Sequence, residues 1–302
     1  MLSPNLTPAR VIVLDVGGTF VKSAIIAPGG CVVGLPLITP INSAGTADII
    51  LATFAGIVRH HLEQVDGDNL LGVALGFPGP FDYQTGICYI KGLEKYGAIY
   101  GLNMAEALRQ RVELGNRPIR FLNDAEAAIG GEARYGAGRP YQRLIGLTLG
   151  TGCGSAFLIN GERVSSGQGV PPDGWLYPVL FRGDRADDIF SKRGLEARLR
   201  TVEAATIDIK EAAAAARRGD AAACQVFEFF GADLGEFLAP FVVDFQAGAV
   251  LVLGGIAGAF DLFGPPLRQA LTVPVLPGER GADAALLGAA DILFAKQEKT
   301  QC

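Results

Sequence analysis

The chain has 302 residues, of which 49% are hydrophobic and 19% are charged. This composition excludes an intrinsically disordered chain, which has few apolar residues and many charges. The formal net charge of −5 excludes the basic surface typical of proteins that bind nucleic acid or anionic membranes. Glycine is over-represented, with 41 residues or about twice the usual ~7% share. Such an excess indicates loops in which the backbone comes close to another group.

Cysteine and histidine usage argues against disulfides and zinc. The five cysteines form no CxxC or CxC pair, and an odd number does not favour a closed disulfide framework. The two histidines, His60 and His61, are neighbours far from any cysteine, so no zinc site is expected. No stretch approaches the ~20 apolar residues of a membrane span, and a signal peptide is not evident. We therefore expect a cytoplasmic protein that does not contact membranes.

The first half of the chain predicts a β-hairpin followed by alternating helices and strands. Two apolar segments flank Gly17-Gly18, as in a tight hairpin, and a third strand is expected over 31–37. Apolar spacing predicts helices over 46–64, 104–112 and from residue 125. Buried strands are predicted from residue 70 to a Gly/Pro loop and over 119–122.

The second half repeats this plan. Strands are predicted over 144–150, 155–159, 162–165 and 249–253, with Ala-rich helices over 195–202 and 209–243 and a final helix over 282–296. An approximate duplication without a linker predicts two α/β domains with a cleft between them. We place the domains at 1–121 and 122–289, and expect the C-terminal helix, about 290–302, to pack back on the first.

Two glycine-rich turns between strands are candidates for phosphate binding. Glycine lets backbone N–H groups approach an anion, and an aspartate at a strand end can orient hydrated Mg²⁺. Each turn alone is also compatible with an ordinary hairpin, and the Walker pattern is absent. Cys153, inside the second turn, is expected to be a packed side chain rather than a nucleophile. The candidate residues are Asp15, Gly17, Gly18, Thr19 and Lys22 in the first turn, and Thr148, Gly150, Thr151 and Gly152 in the second.

Two further motifs follow predicted strands. Asp124 lies at a strand-to-helix junction, where open α/β sheets bind ligands, and its carboxylate could accept a proton from a hydroxyl that attacks a phosphoryl group. The alternative is that Asn123 or Asp124 is only a helix N-cap. Gly254 and Gly255 follow the strand 249–253. They would let a flat ring or a ribose pack on the backbone, or they form a plain turn.

The motifs DVGGT, NDAEAA, TLGTGCGSA and VLGGI, in this order, resemble those of the ROK sugar kinases, which belong to the actin/hexokinase/Hsp70 ATPase superfamily. The resemblance covers nearly the whole chain. It implies an α/β fold of two ribonuclease H-like (actin-like ATPase) domains, ATP and Mg²⁺ as cofactors, and a homodimer. It also implies roles for particular residues: Asp124 as the catalytic base, Asp15 as a water-mediated Mg²⁺ ligand, Gly254 and Gly255 at the adenosine, and Gly79 in the loop that lines the sugar site.

The chain departs from the family's substrate motifs. The Glu-x-Gly-His segment is missing, as is the Cys-rich zinc loop, and the corresponding stretch runs from Gly169 to Trp175. Asp173 could replace the missing acid. Lys91 and Lys95 lie where the family has a sugar-contacting asparagine; they are either ordinary solvated lysines or, in a cleft, contacts to an anionic substrate. The candidate substrate contacts are therefore Gly79, Lys91, Asn123 and Asp173. The departures support phosphoryl transfer better than they support glucose as the acceptor.

The predicted function is ATP- and Mg²⁺-dependent phosphorylation of a sugar or sugar-like hydroxyl, with Asp124 as general base. An alternative is a catalytically degenerate sugar-binding or regulatory protein of the same fold. DNA binding is not expected, since only about ten residues precede the first strand. A third hypothesis is a kinase that uses polyphosphate as the donor. The adenosine-like motif at Gly254 and Gly255 argues against it. The sequence does not specify the sugar or the hydroxyl.

Overall fold

The computed structural model describes residues 8–65, 67–92, 95–202 and 208–300. These residues form two compact units. Unit 1 runs up to Gly131 and resumes at Ala282, and unit 2 runs from Glu132 to Gly281. The sequence instead places these borders after residues 121 and 289.

Unit 1 is built on a five-stranded sheet whose strands are, in order across it, β3 (Cys31–Pro40), β2 (Phe20–Ala27), β1 (Arg10–Val16), β4 (Leu70–Phe77) and β7 (Ile119–Asn123). The first three strands are antiparallel, and β4 and β7 run parallel to β1. The central strands are continuous apolar runs because both faces of the sheet are covered. The elements up to residue 135 are β1 (Arg10–Val16), β2 (Phe20–Ala27), β3 (Cys31–Pro40), α1 (Ala47–Leu62), β4 (Leu70–Phe77), β5 (Phe81–Asp82), β6 (Ile87–Cys88), α2 (Met104–Arg109), β7 (Ile119–Asn123) and α3 (Asp124–Tyr135).

Unit 2 repeats the plan with a sheet whose strands are, in order across it, β10 (Glu162–Val164), β9 (Cys153–Ile159), β8 (Arg143–Leu149), β13 (Ala249–Leu253) and β14 (Val275–Pro277). Here β9 runs antiparallel to both β8 and β10, and β13 and β14 run parallel to β8. Its elements are β8 (Arg143–Leu149), β9 (Cys153–Ile159), β10 (Glu162–Val164), β11 (Leu180–Phe181), β12 (Asp184–Arg185), α4 (Ala186–Phe190), α5 (Lys192–Thr201), α6 (Ile209–Arg217), α7 (Ala221–Phe245), β13 (Ala249–Leu253), α8 (Phe260–Ala270) and β14 (Val275–Pro277). The predicted duplication is therefore real: two α/β units share one strand plan.

Two local differences from the sequence prediction have clear causes. The helical segment over 209–243 is two helices, because Gly219 has a left-handed φ of +93° and Asp220 starts α7 by accepting a hydrogen bond from Ala223 N. Helix α8 was not predicted, since Pro265 and Pro266 lie inside it and proline normally argues against a helix interior. Among the described residues, no helix is both long and apolar enough to cross a membrane.

Helix α9 (Ala284–Thr300) belongs to unit 1 and meets α3 through two glycines. A Cβ added at Gly131 would lie 1.9 Å from Ala284 O, and one added at Gly288 would lie 1.9 Å from Ala127 O. No side chain fits at either position, so the two helices are in backbone contact. This contact fixes the end of the chain against the helix that begins at Asp124.

Gly131→Ala should therefore destabilise the protein by about 1–3 kcal/mol, the usual cost of overpacking. The matched control is Gly130→Ala on the same helix, where an added Cβ meets nothing within 4 Å. That change should stabilise by ~0.5–1 kcal/mol through helix propensity. Urea unfolding of both variants measures the difference, and equal free energies of unfolding would contradict the contact.

A histidine is buried in the core of unit 1. His61 on α1 is 2% exposed, and its Nε2 lies 2.8 Å from Ser23 Oγ on β2. Burial, reinforced by the charge of His60, lowers the pKa of His61 from 6.5 to about 4. The folded protein therefore holds this ring neutral at a pH where the unfolded chain protonates it.

Protonation of His61 should make unit 1 less stable in mild acid. The stabilisation is complete above pH 6.5 and is lost as the pH falls toward 4, with a slope of up to ~1.4 kcal/mol per pH unit. Relative to His61→Leu, the wild type should lose free energy of unfolding between pH 6.5 and 4.5. His60→Gln, at an exposed site, removes only the smaller contribution to the pKa shift of His61 and should keep most of the wild-type slope. Parallel pH profiles for wild type and His61→Leu would refute the assignment.

Candidate functional site

Three parallel strands of unit 1, β1, β4 and β7, end side by side, and β1 and β7 carry candidate residues to the same edge of the sheet. Asp15 on β1 is in register with Gly76 on β4, and the next residue of β4 is in register with Asn123, the last residue of β7. A Cβ added at Gly76 would lie 3.8 Å from Asp15 Oδ1 and 3.8 Å from Asp124 Cα. The Asp15 carboxylate and the backbone of Asp124 therefore lie beside one glycine, and the charges of the two aspartates act on each other.

These two carboxylates have raised pKa values. Burial raises the pKa of Asp15 from 3.8 to about 6, with a further contribution from the charge of Asp124 and an opposing one from Lys22. Burial also raises the pKa of Asp124, against the hydrogen bond from Ala125 N and the charge of Lys95. Titratable groups perturbed by burial and by each other are typical of functional sites.

At the junction of β7 and α3, Asn123 caps the helix and the next residue, Asp124, carries the candidate catalytic carboxylate. Asn123 Oδ1 accepts hydrogen bonds from Ala125 N (3.0 Å) and Glu126 N (3.2 Å), so Asn123 is the residue that caps the helix. Asp124 Oδ1 accepts one further bond from Ala125 N at 2.9 Å. The N-cap alternative thus applies to Asn123, whose carbonyl oxygen is occupied.

Tyr83 holds Asn123 and the Gly/Pro loop. Its hydroxyl accepts a hydrogen bond from Asn123 Nδ2 (3.0 Å) and donates one to Phe77 O (3.1 Å). A Cβ at Gly79 would lie 3.3 Å from the same hydroxyl. Asn123 and Gly79, both predicted substrate contacts, are therefore brought together around a tyrosine that the sequence analysis did not identify.

The first glycine turn is braced from two sides. Tyr96 Oη donates to Gly17 O at 2.6 Å, and Ser43 Oγ donates to Gly18 O at 2.5 Å. Tyr96 N in turn donates to Ser43 O at 2.6 Å. Both carbonyls of the turn are held by side chains, which fixes the backbone on either side of Gly18 and at Thr19.

Lys22 is already engaged by a carboxylate. It is the cross-strand partner of Asp15, and its Nζ lies 2.7 Å from Asp283 Oδ1. Asp283 immediately precedes α9, so this ion pair joins the turn's strand to the C-terminal helix. Sequence reasoning assigned Lys22 to phosphate and had no signal for Asp283.

The second glycine turn, in unit 2, is braced by a carboxylate. Gly150 O accepts from Lys192 N at 2.7 Å, and Cys153 N donates to Asp187 Oδ1 at 2.7 Å. The other oxygen of Asp187 pairs with Arg193. Thr148 lies at the end of β8, and Thr151 and Gly152 are exposed at the tip.

Cys153 itself is packed in the core of unit 2. It is 2% exposed, and burial together with the charge of Asp187 raises the pKa of its thiol to about 12. A thiol this resistant to ionisation is a poor nucleophile.

Gly254 and Gly255 have different surroundings. Gly254 has a φ of +89°, and an added Cβ would lie 2.4 Å from Leu149 O, so the end of β13 touches the end of β8. Gly255, like Gly150, meets nothing within 4 Å. The second turn and the glycine pair are therefore adjacent within unit 2, with two open glycines among them.

Asp173 and Lys91 are both exposed. Asp173 has a φ of +57°, and its carbonyl oxygen accepts a hydrogen bond from Arg163 at 2.7 Å. Lys91 Nζ lies 5.5 Å above the ring of Tyr100, an exposed cation–π contact. Among the described residues, no group of three or more His, Cys, Asp or Glu side chains could hold a metal ion.

Comparison with known proteins identifies the family. Two solved structures show the fold: the ROK hexokinase of Thermus thermophilus (23% identity, TM-score 0.79, 96% of this chain and 99% of that one) and a ROK glucokinase of Streptomyces griseus in complex with glucose and AMPPNP (24%, 0.73, 94% and 99%). The predicted actin-like fold is thus confirmed. A glucokinase of Thermotoga maritima is 25% identical over 316 residues, with 94% of this chain and 97% of that protein covered. The family model described as "ROK family" matches residues 11–296. The chain therefore belongs to the ROK family, as its motifs predict.

Proposed function

We propose that this protein is a kinase that transfers the γ-phosphoryl group of ATP, with Mg²⁺, to a hydroxyl of a sugar or sugar-like acceptor. The observation that carries the proposal is the partly buried Asp124, which lies with Asp15 beside Gly76 while Asn123 supplies the main helix cap. The family supports it, since the relative described above is a glucokinase.

Asp124 is the proposed general base. Its raised pKa increases its affinity for a proton, and a base works best when its pKa approaches the operating pH. The acceptor hydroxyl gives its proton to Asp124 while its oxygen forms the new bond to phosphorus. The bond from phosphorus to the leaving oxygen of ADP breaks in the same step.

Asp15 is the proposed contact to the metal. Mg²⁺ keeps several of its waters and is commonly bound through one or two carboxylates together with substrate phosphates. The Asp15 carboxylate, at the end of β1 just before Gly17 and Gly18, fits that pattern. When bound with ATP, the metal would neutralise charge on the phosphates. Asp15 would hold it through water, with Lys22 opposite in register.

The nucleotide is assigned to the glycine turns. Backbone N–H groups of such turns form concavities that bind anions. Gly17, Gly18 and Thr19 would contact phosphate in unit 1. In unit 2 the open glycines Gly150 and Gly255 leave room that a side chain would fill. We assign phosphate to Thr148, Gly150, Thr151 and Gly152, and adenosine to Gly254 and Gly255.

The acceptor is assigned to Asn123 and Gly79, with Lys91 and Asp173 as further contacts. Asn123 has its carbonyl oxygen in the helix cap, so it would bind through its amide N–H. A sugar-like acceptor agrees with the substrate in the name of the curated relative. Activity assays with a panel of neutral sugars, amino sugars and sugar acids would identify the acceptor.

Asp124→Asn should fold normally yet lose turnover by at least ~100-fold, because the amide cannot accept the proton. The measurement is ADP release over the acceptor panel. The control is Asp48→Asn, an exposed aspartate of the same unit, which should keep wild-type activity. Turnover of Asp124→Asn within three-fold of the wild type would exclude Asp124 as base. A wild type that binds ATP but phosphorylates no acceptor would favour a degenerate binding protein.

Gly255→Val should weaken binding of a non-hydrolysable ATP analogue by at least ~10-fold, since a side chain there fills the proposed adenosine position, where an added Cβ meets no atom of the fold within 4 Å. Gly56→Val on α1, another glycine with nothing within 4 Å, is the control and should bind normally. Titration calorimetry gives both affinities, and melting temperatures check folding. Unchanged affinity in Gly255→Val would remove Gly255 from the nucleotide site.

A further inference from the structure

Lys95 lies beside the first glycine turn, and its charge acts on the proposed base. A Cβ added at Gly18 would lie 3.5 Å from Lys95 Cδ, so the lysine stem runs along the turn. Its positive charge also lowers the pKa of Asp124. Lys95 is therefore the cation that acts on Asp124, as Lys22 is the one that acts on Asp15.

The backbone at Lys95 is anchored by the next residue. Tyr96 is completely buried, and its two hydrogen bonds, to Gly17 O and Ser43 O, tie it to the glycine turn. The same residue that fixes the turn therefore fixes the start of the lysine side chain. A side chain placed in this way has less conformational freedom to lose when it binds a ligand.

The ammonium of Lys95 has no close carboxylate among the residues the structure describes. Lys22 forms an ion pair with Asp283, whereas Lys95 forms none within 4.0 Å with any described acid, Asp124 included. The side chain is partly exposed. An ammonium that is uncompensated at short range, beside a turn assigned to phosphate, is suited to an anionic ligand.

We propose that Lys95 contacts the γ-phosphoryl group during its transfer and is thus a catalytic residue. The inference rests on the proposed kinase function. The group in transit lies between the acceptor hydroxyl at Asp124 and the phosphate turn at Gly18, and Lys95 lies beside that turn while its charge acts on Asp124. Negative charge spreads over its three equatorial oxygens in the transition state, and a fixed cation stabilises that charge. The proton goes to Asp124, and Lys95 takes no part in the proton transfer.

A different role would leave a different signature. If Lys95 acted only through Asp124, by holding its pKa down, its loss would shift the acid limb of the pH–rate profile. Activity would then recover at higher pH. A direct contact to the phosphoryl group predicts a loss at every pH, because the missing charge is needed whatever the state of the base.

The test is steady-state kinetics of Lys95→Met and Lys95→Arg from pH 6 to 9, with an acceptor that the wild type phosphorylates. In Lys95→Met, kcat should fall by ~100-fold or more at every pH, with KM for ATP and acceptor within about three-fold. Lys95→Arg should recover much of the loss by keeping the charge. The control is Lys210→Met, an exposed lysine of unit 2, expected to match the wild type.

A second measurement does not depend on turnover. ADP with aluminium fluoride and the acceptor mimics the transition state, so the wild type should bind ADP more tightly in that mixture than alone. Lys95→Met should lose most of this gain while its affinity for ADP alone is unchanged. The inference is overturned if kcat of Lys95→Met stays within three-fold of the wild type, if activity recovers at high pH, or if the gain persists. A wild type inactive on every acceptor would overturn the kinase function itself, and this inference with it.

Discussion

Two carboxylates are held near one another in a partly buried position, and much of unit 1 follows from that constraint. Like charges in a medium of low dielectric repel, and burial penalises each of them. The register of three parallel strands nevertheless brings Asp15 and Asp124 beside Gly76. The surroundings reduce the penalty with the charges of Lys22 and Lys95 and with a backbone N–H. The arrangement is costly to the fold, and such costs are commonly retained where chemistry needs them.

The glycines divide into those the fold requires and those it leaves open. Gly131, Gly288 and Gly254 each allow two backbones to touch, since an added Cβ would meet a carbonyl oxygen. At Gly136 the neighbour is the carboxylate of the completely buried Glu132, which accepts hydrogen bonds from Ala137 N and Arg280 N. Glycine content therefore indicated close approach correctly, but much of that approach is backbone on backbone within a unit.

The sequence could predict those features that depend on a short segment or on the spacing of apolar residues. The apolar runs, the glycine turns between them and the strand-to-helix junction at Asp124 are short signals, and each lies where it was expected. The braces of the turns could not be predicted, because Tyr96 meets Gly17 across 79 positions and Asp187 meets Cys153 across 34. Such contacts come from tertiary placement of loop residues that carry no periodic pattern. Helix α8 was not predicted for a related reason. Its two prolines have low helix propensity, and packing in the folded protein outweighs that propensity.

The duplication conserves the strand plan but not the chemistry around the turns. In unit 1 the turn carbonyls are held by the neutral hydroxyls of Tyr96 and Ser43. In unit 2 the turn is held by the carboxylate of Asp187, whose charge is shared with Arg193. A bare carboxylate there would repel a phosphate, so the arginine is needed for such a brace to coexist with an anion. The two equivalent turns therefore have different electrostatic surroundings, and the fold alone does not determine what each turn binds. Asp15 and Asp124 both belong to unit 1, which is why the proposed proton transfer is assigned to that unit.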